Sequence, residues 1–227
     1  MTQKGVIRKV LEMMQAELGA FDFKLNIAEQ GFWREDGDVT YFFFFLIYNE
    51  VYIDSGQKGF QLVPYAKIHL APVEKYYKQI TVNTYLKTKW DFITIGNSIA
   101  DLIANPDGIA RKRNQSLKLY VFEEEHIETV VHKMLEYFRE VALPYFLSNN
   151  TVRRVDDLLN RHPREYTIHM VNDLFRFVKG IIAAKLNNNP EVNKLLSIYN
   201  SLIIERDMPE DCKIEMARLE EILPTIK

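Results

Sequence analysis

The sequence predicts an α+β fold, an antiparallel sheet of four to five strands in the N-terminal half packed against helices from the C-terminal half. Three observations carry this reading. Residues 41–48 read Tyr-Phe-Phe-Phe-Phe-Leu-Ile-Tyr without a polar interruption. Side chains of a strand alternate between faces, so a strand with no polar parity is expected to be covered on both. Strand-like alternation stops near residue 125, and helical spacing of apolar residues takes over after it. No Pro/Gly/Ser-rich linker separates the halves, so one domain is expected over 1–227, mostly sheet in 1–125 and all-helical in 126–227.

Val6, Ile7, Val10, Leu11, Met14 and Leu18 recur at helical spacing, giving a helix over 4–18 with Gly19 as its stop. Phe23, Leu25 and Ile27 alternate with Lys24 and Asn26 as in a strand. Asp36-Gly37 then marks a hairpin into the aromatic run. Phe60, Leu62, Ala66, Ile68 and Leu70 share one parity of the next strand, and Pro64 within it asks for an edge or a bulge. A short helix is expected over 73–80, while residues 81–96 carry Trp90, Phe92 and Ile93 with no readable period. Asn97 is placed to cap a short helix bearing Ile99, Leu102 and Ile103. Asn105-Pro106-Asp107-Gly108 is a turn, and Leu117–Phe122 the last strand.

Beyond Glu125, Ile127, Val130, Val131, Met134, Leu135, Phe138 and Val141 lie on one face of a helix over 126–146, which Pro144 ends or kinks. Helices follow around Val152–Leu159 and Val171–Ile182, and Asn189-Pro190-Glu191 starts another. A last helix begins near Pro209 and buries Cys212. Gly180 beside Ala183 and Ala184 marks a close helix–helix contact within the chain.

Composition narrows the function classes. The chain has 227 residues, 47% hydrophobic and 26% charged, with a net charge of −2. A protein that grips phosphate backbones carries a basic bias, so nucleic acid is not the expected partner. One cysteine forms neither an internal disulfide nor a Cys-based zinc site, and suits a reducing, cytoplasmic setting. The apolar run at 41–48 is too short for a membrane helix, which needs about 20 residues, and the N-terminus has no signal-peptide core.

No reaction motif emerges. The histidine pairs His126/His132, His162/His169 and His169/Asp173 fall short of a metal set, and surface or capping roles are expected for them. His69 shares the polar parity of its strand with Tyr65 and Lys67, the pattern of a solvated sheet face. Ser55, Ser98, Ser116, Ser148, Ser197 and Ser201 lack a G-x-S-x-G frame. Gly56-Gln57-Lys58-Gly59 matches no phosphate-loop spacing. Glu123-Glu124-Glu125 suits a helix start, and Arg111-Lys112-Arg113 a solvated loop. No catalytic residue, metal ligand or cofactor is therefore expected.

Gly31-Phe32-Trp33-Arg34, the strand 41–48 and Ala142-Leu143-Pro144-Tyr145-Phe146 give the chain a layout that resembles uncharacterised bacterial domain-of-unknown-function proteins. The resemblance implies a helix, an aromatic-rich antiparallel sheet and a helical second half. It also implies action by binding, including as a toxin-neutralising immunity partner. The leading expectation is thus a protein that works by binding another protein. The alternative is a small-ligand binder or hydrolase-like enzyme with a cleft between sheet and helices, lined by Trp33, Arg34, Tyr65, Lys67 and His69. A nucleic-acid module using Arg111, Lys112 and Arg113 stands third.

Overall fold

A computed structural model describes residues 1–51 and 56–227. Helix α1 (Gln3–Gly19) starts where the Thr2 hydroxyl accepts from the Gly5 N–H at 3.2 Å. It turns Val6, Val10, Leu11, Met14 and Leu18 inward. Among the described residues six antiparallel strands follow as β1 (Lys24–Asn26), β2 (Gly31–Asp36), β3 (Val39–Val51), β4 (Lys58–Leu70), β5 (Ile95–Ser98) and β6 (Leu119–Val121). Their order is β1-β2-β3-β4-β5, with β6 also pairing to β4. Gly37, at φ +58°, makes the expected tight turn between β2 and β3.

The register decides which side chains meet. Phe43 lies opposite Phe32 and Ala66, and Tyr41 opposite Arg34 and Ile68. This parity forms the inner face, where the Phe138 ring sits 5.2 Å from Phe43 and the Phe146 ring 5.2 Å from Tyr41. Pro64 lies between the stretch of β4 that pairs with β6 (Phe60–Leu62) and the stretch that pairs with β5 (Tyr65–Ile68). A residue without an N–H is tolerated there because no strand among the described residues pairs with β4 on that side.

The other parity corrects the expectation that both faces of the aromatic run are covered. Phe42 is buried under Trp90, with ring centroids 4.4 Å apart, but Phe44 is half-buried. Leu46 and Tyr48 are 40% and 47% exposed. The inner face receives α1, α4 (His126–Tyr137) and α5 (Leu143–Ser148). The outer face receives Trp90 from the 81–94 connection, which covers only its first part.

The helix expected over 126–146 is divided. Between α4 and α5 the turns widen into a π-helical stretch, Phe138–Ala142, and Leu143 N–H donates to the Phe138 carbonyl. Pro144 lacks an N–H and crowds the carbonyl four residues back, and the wider turn accommodates it within the first turn of α5. A second correction concerns the helix α3 (Ile99–Ala104). Its cap is Ser98, whose hydroxyl accepts from Asp101 N–H at 3.1 Å, whereas Asn97 donates to the Ile168 carbonyl at 2.9 Å.

The remaining helices are α2 (Ala71–Ile80), α6 (Val152–Asn160), α7 (Asp173–Leu186), α8 (Val192–Glu205) and α9 (Glu210–Ile222). Gly180 does mark a close internal contact. A Cβ there would fall 2.6 Å from Asn160 Oδ1, and Asn160 Nδ2 donates to the Gly180 carbonyl at 2.8 Å. Cys212 is buried on α9. Among the described residues no helix is long and apolar enough to cross a membrane.

Candidate functional site

At the β5 side of the outer sheet face a cleft of about 560 Å³ opens between sheet and helices. The size is that of a small-molecule pocket. Tyr65 and Lys67 of β4 enter it from the sheet, Trp90 and Ile93 from the 81–94 connection, Asp101 from α3, and Asn172 and Phe175 from the start of α7. Gly96 closes the base in a left-handed conformation, φ +137°. A Cβ there would meet the Ala66 carbonyl at 2.3 Å, so the close approach of β5 to β4 needs glycine.

Lys67 is the distinctive group. Its ammonium lies 5.1 Å from the centre of the Phe44 ring and 5.3 Å from that of Tyr65, and these two rings stack 5.2 Å apart. No carboxylate among the described residues is within ion-pair reach of it. Burial pushes its pKa below the ordinary lysine value. Tyr65 is pushed up to about 12, first by burial and then by Tyr48 and Asp101 beside it. Asp101 is 6% exposed. Its Oδ1 accepts the Gln115 N–H at 2.8 Å, and no cation among the described residues pairs with it.

Of the five residues expected to line a cleft, the structure brings Tyr65 and Lys67 together. Trp33 stands on the same face, paired across strands with Phe42 and covered by the Lys24 ammonium at 5.3 Å. Arg34 is on the opposite face, its guanidinium 4.8 Å from the Tyr41 ring and donating to the Phe21 carbonyl at 3.3 Å. His69 corrects the expectation of a solvated position: it is buried, and its Nδ1 meets the Phe92 carbonyl at 2.7 Å. His169 likewise is no surface group. It stacks on Tyr145, with its Nδ1 3.1 Å from the phenol oxygen, and burial lowers its pKa to about 4. It also precedes α7, so it shares no helical face with Asp173.

Sequence reasoning missed Asp101 and Trp90. Asp101 had a signal, a carboxylate among Ile99, Leu102 and Ile103 on a short apolar helix. Trp90 had none, lying in a segment without a period. Also missed is the charge network behind the cleft. Lys179 of α7 reaches Glu74 Oε1 of α2 at 2.9 Å and donates to the Ile93 carbonyl at 2.6 Å. The two side chains are 2% and 1% exposed. Thr94 Oγ1 donates to the same carboxylate at 2.7 Å. Nearby, Glu215 of α9 accepts from Thr81 Oγ1 at 2.8 Å and from Val82 N–H at 2.9 Å. A lysine inside a helix buried on nearly every side was the available clue.

Three other groupings offer less. Between α6 and α8 lies a second concavity of about 560 Å³. Its carboxylates are already matched. Asp156 accepts from Asn160, Asn187 and Asn189, Asp157 pairs with Arg154 and Arg161, and Glu191 pairs with Lys194. Donor atoms of Glu123, Glu125 and His126 lie within 4.8 Å of one another, but both glutamates are exposed. His126 Nδ1 already accepts the Phe122 and Glu123 N–H groups at 3.3 Å. Arg111 pairs with Asp107, and Arg113 stacks on Tyr166 at 4.4 Å, so the basic cluster is divided between neighbours. Asp54 and Ser55 lie outside the described residues. No protein-family description, curated protein or solved structure matches this chain.

Proposed function

We propose that the chain is a small-ligand-binding protein whose cleft takes an organic anion against aromatic walls. One observation carries this reading: a half-buried lysine, caged by Phe44 and Tyr65, that has no carboxylate partner among the described residues. Desolvating an ammonium without an opposite charge is costly, and an anionic ligand between Lys67 and the cleft mouth offsets that cost. Trp90, Ile93 and Phe175 supply the apolar surface such a ligand needs. The buried cysteine supports a reducing, cytoplasmic setting for this role.

A thermal-shift titration with 3-phenylpropionate tests it. Saturation at 100 times Kd stabilises by about 2.7 kcal/mol, which is ~5–10 °C for a chain of this length. Lys67→Met is expected to abolish the shift while leaving the unliganded melt within a few degrees. An equal shift in Lys67→Met rejects the assignment of the anion to Lys67.

A second reading, a protein partner on the same face, is favoured by Leu46 and Tyr48, which continue the aromatic wall along β3 into solvent. The immunity-like role implied by the resemblance belongs here. A photo-crosslinking residue at position 46 is expected to give a discrete adduct in cells that one at the exposed His132 does not. Equal labelling at both positions counts against it.

A further inference from the structure

Resting on the reading of the cleft as a ligand site, we infer that its ligand is a zwitterion bearing an aromatic ring, of the aromatic α-amino acid class. Four charged side chains line the cleft: Arg113 is exposed and stacks on Tyr166, Asp91 is exposed and accepts from the Lys87 and Thr88 N–H groups, and Lys67 and Asp101, of opposite sign, are set deeper. Lys67 has no carboxylate partner and Asp101 has no cationic partner among the described residues, and the two do not pair with each other. Both are set by the fold. The strand register places Lys67 opposite Gly96 and Tyr65 opposite Ser98, and Ser98 caps the helix whose first turn carries Asp101. The positive and negative groups therefore line one cleft from β4 and from the start of α3.

The structural role of Asp101 uses only one of its oxygens, the acceptor of the Gln115 N–H. Its position in the first turn of α3 stabilises the charge in part. A ligand with only a carboxylate satisfies Lys67 and crowds Asp101 with a second anion. A ligand with only an ammonium does the reverse. A zwitterion sets its carboxylate toward Lys67 and its ammonium toward Asp101, so both desolvated charges gain a partner. Trp90, Ile93 and Phe175 are left for the ring, and the exposed Asn172 also lines the cleft.

The test uses three ligands built on one skeleton: L-phenylalanine, 3-phenylpropionate and 2-phenylethylamine. Each is titrated calorimetrically into the full-length chain and into the Lys67→Met and Asp101→Asn variants. L-Phenylalanine is expected to bind at least about tenfold more tightly than either single-charge analogue. Asp101→Asn, which keeps an acceptor for Gln115, is expected to remove that advantage over 3-phenylpropionate. Lys67→Met is expected to remove the advantage over 2-phenylethylamine. If 3-phenylpropionate binds as tightly as L-phenylalanine and Asp101→Asn changes neither, the zwitterion inference falls while the anion cleft stands. If none of the three binds, both fall. Should Asp101→Asn fail to fold, the three-ligand comparison on the unaltered chain decides alone.

Discussion

Replacing Lys179 with Met strands a carboxylate in the core. In the native chain the Lys179 ammonium lies 2.9 Å from Glu74 Oε1, and that oxygen also accepts from Thr94 Oγ1 at 2.7 Å. The second oxygen, Oε2, has no hydrogen-bond partner among the described residues. The lysine is held as well by the Ile93 carbonyl at 2.6 Å and by the Tyr77 ring at 4.4 Å. Methionine fills most of the stem volume and removes the charge, leaving Glu74 with one hydroxyl as its compensation. Removing one member of a buried pair costs about 3–5 kcal/mol. At ~2–4 °C per kcal/mol for a chain of this length, the melting temperature is expected to fall by roughly 6–20 °C. Glu74→Leu alone moves stability in the same direction, because it leaves the ammonium with the Ile93 carbonyl, the Tyr77 and Phe175 rings and the more distant Glu215 charge. The double variant Glu74→Leu/Lys179→Met removes both charges, and is expected to recover about 2 kcal/mol or more relative to the sum of the single losses. Urea unfolding at neutral pH measures all four corners of this cycle, with an unchanged m-value as the check that the same surface unfolds. Single losses below about 1 kcal/mol, or losses that simply add, would refute the view that this pair is a coupled, desolvated unit.

Three further outcomes follow from the geometry. His169 has its pKa lowered to about 4 by burial. Below pH ~6.5 the unfolded chain takes up a proton that the folded chain refuses until about pH 4, so stability is full above ~6.5 and is lost as pH falls through that window, by ~3 kcal/mol. The urea midpoint should drop between pH 7 and 4.5, and His169→Gln should flatten that slope; an identical slope in the variant rejects the assignment. Gly180→Ala gains about 1 kcal/mol of helix propensity but puts a Cβ 2.6 Å from Asn160 Oδ1, which is bound to the Tyr199 hydroxyl at 2.6 Å, so a net loss of ~1–3 kcal/mol is expected. A raised melting temperature for that variant would contradict the packing described. Within β3, Phe43→Ala should cost about 3–5 kcal/mol and Leu46→Ala about 0.5, since one is buried against Phe138 and the other faces solvent. Similar losses at both positions in a denaturation series would mean that the outer face is covered after all.

Local pattern determined most of the secondary structure. The spacing of Val6, Val10, Leu11 and Met14 is that of α1, and the parity of Phe60, Leu62, Ala66 and Ile68 is that of β4. The small surface at Gly180 told correctly of a tight contact, because a missing Cβ leaves a mark in the chain itself. Tyr65 and Lys67 were legible as neighbours on one face for the same reason: strand periodicity is local.

What the sequence by itself determined was the kind of the longer periodic elements and which residues share their faces, since both follow from backbone geometry within a few residues; the short strand β5 and the π-helical stretch at Phe138–Ala142 were not legible in it. Which of those faces found a cover was decided only in three dimensions. Phe42 and Leu46 belong to one parity of one strand, yet Trp90 seals the first and water meets the second. Glu74 and Lys179 are far apart in the chain, and although the apolar surroundings of Lys179 hint at its burial, nothing local pairs the two. Their burial exists because α2 and α7 lie side by side, bringing opposite charges within 2.9 Å of each other. The cleft has the same origin: a cation on β4, a carboxylate on α3 and a ring from the 81–94 connection meet only because strand register and helix packing carry distant segments to one place.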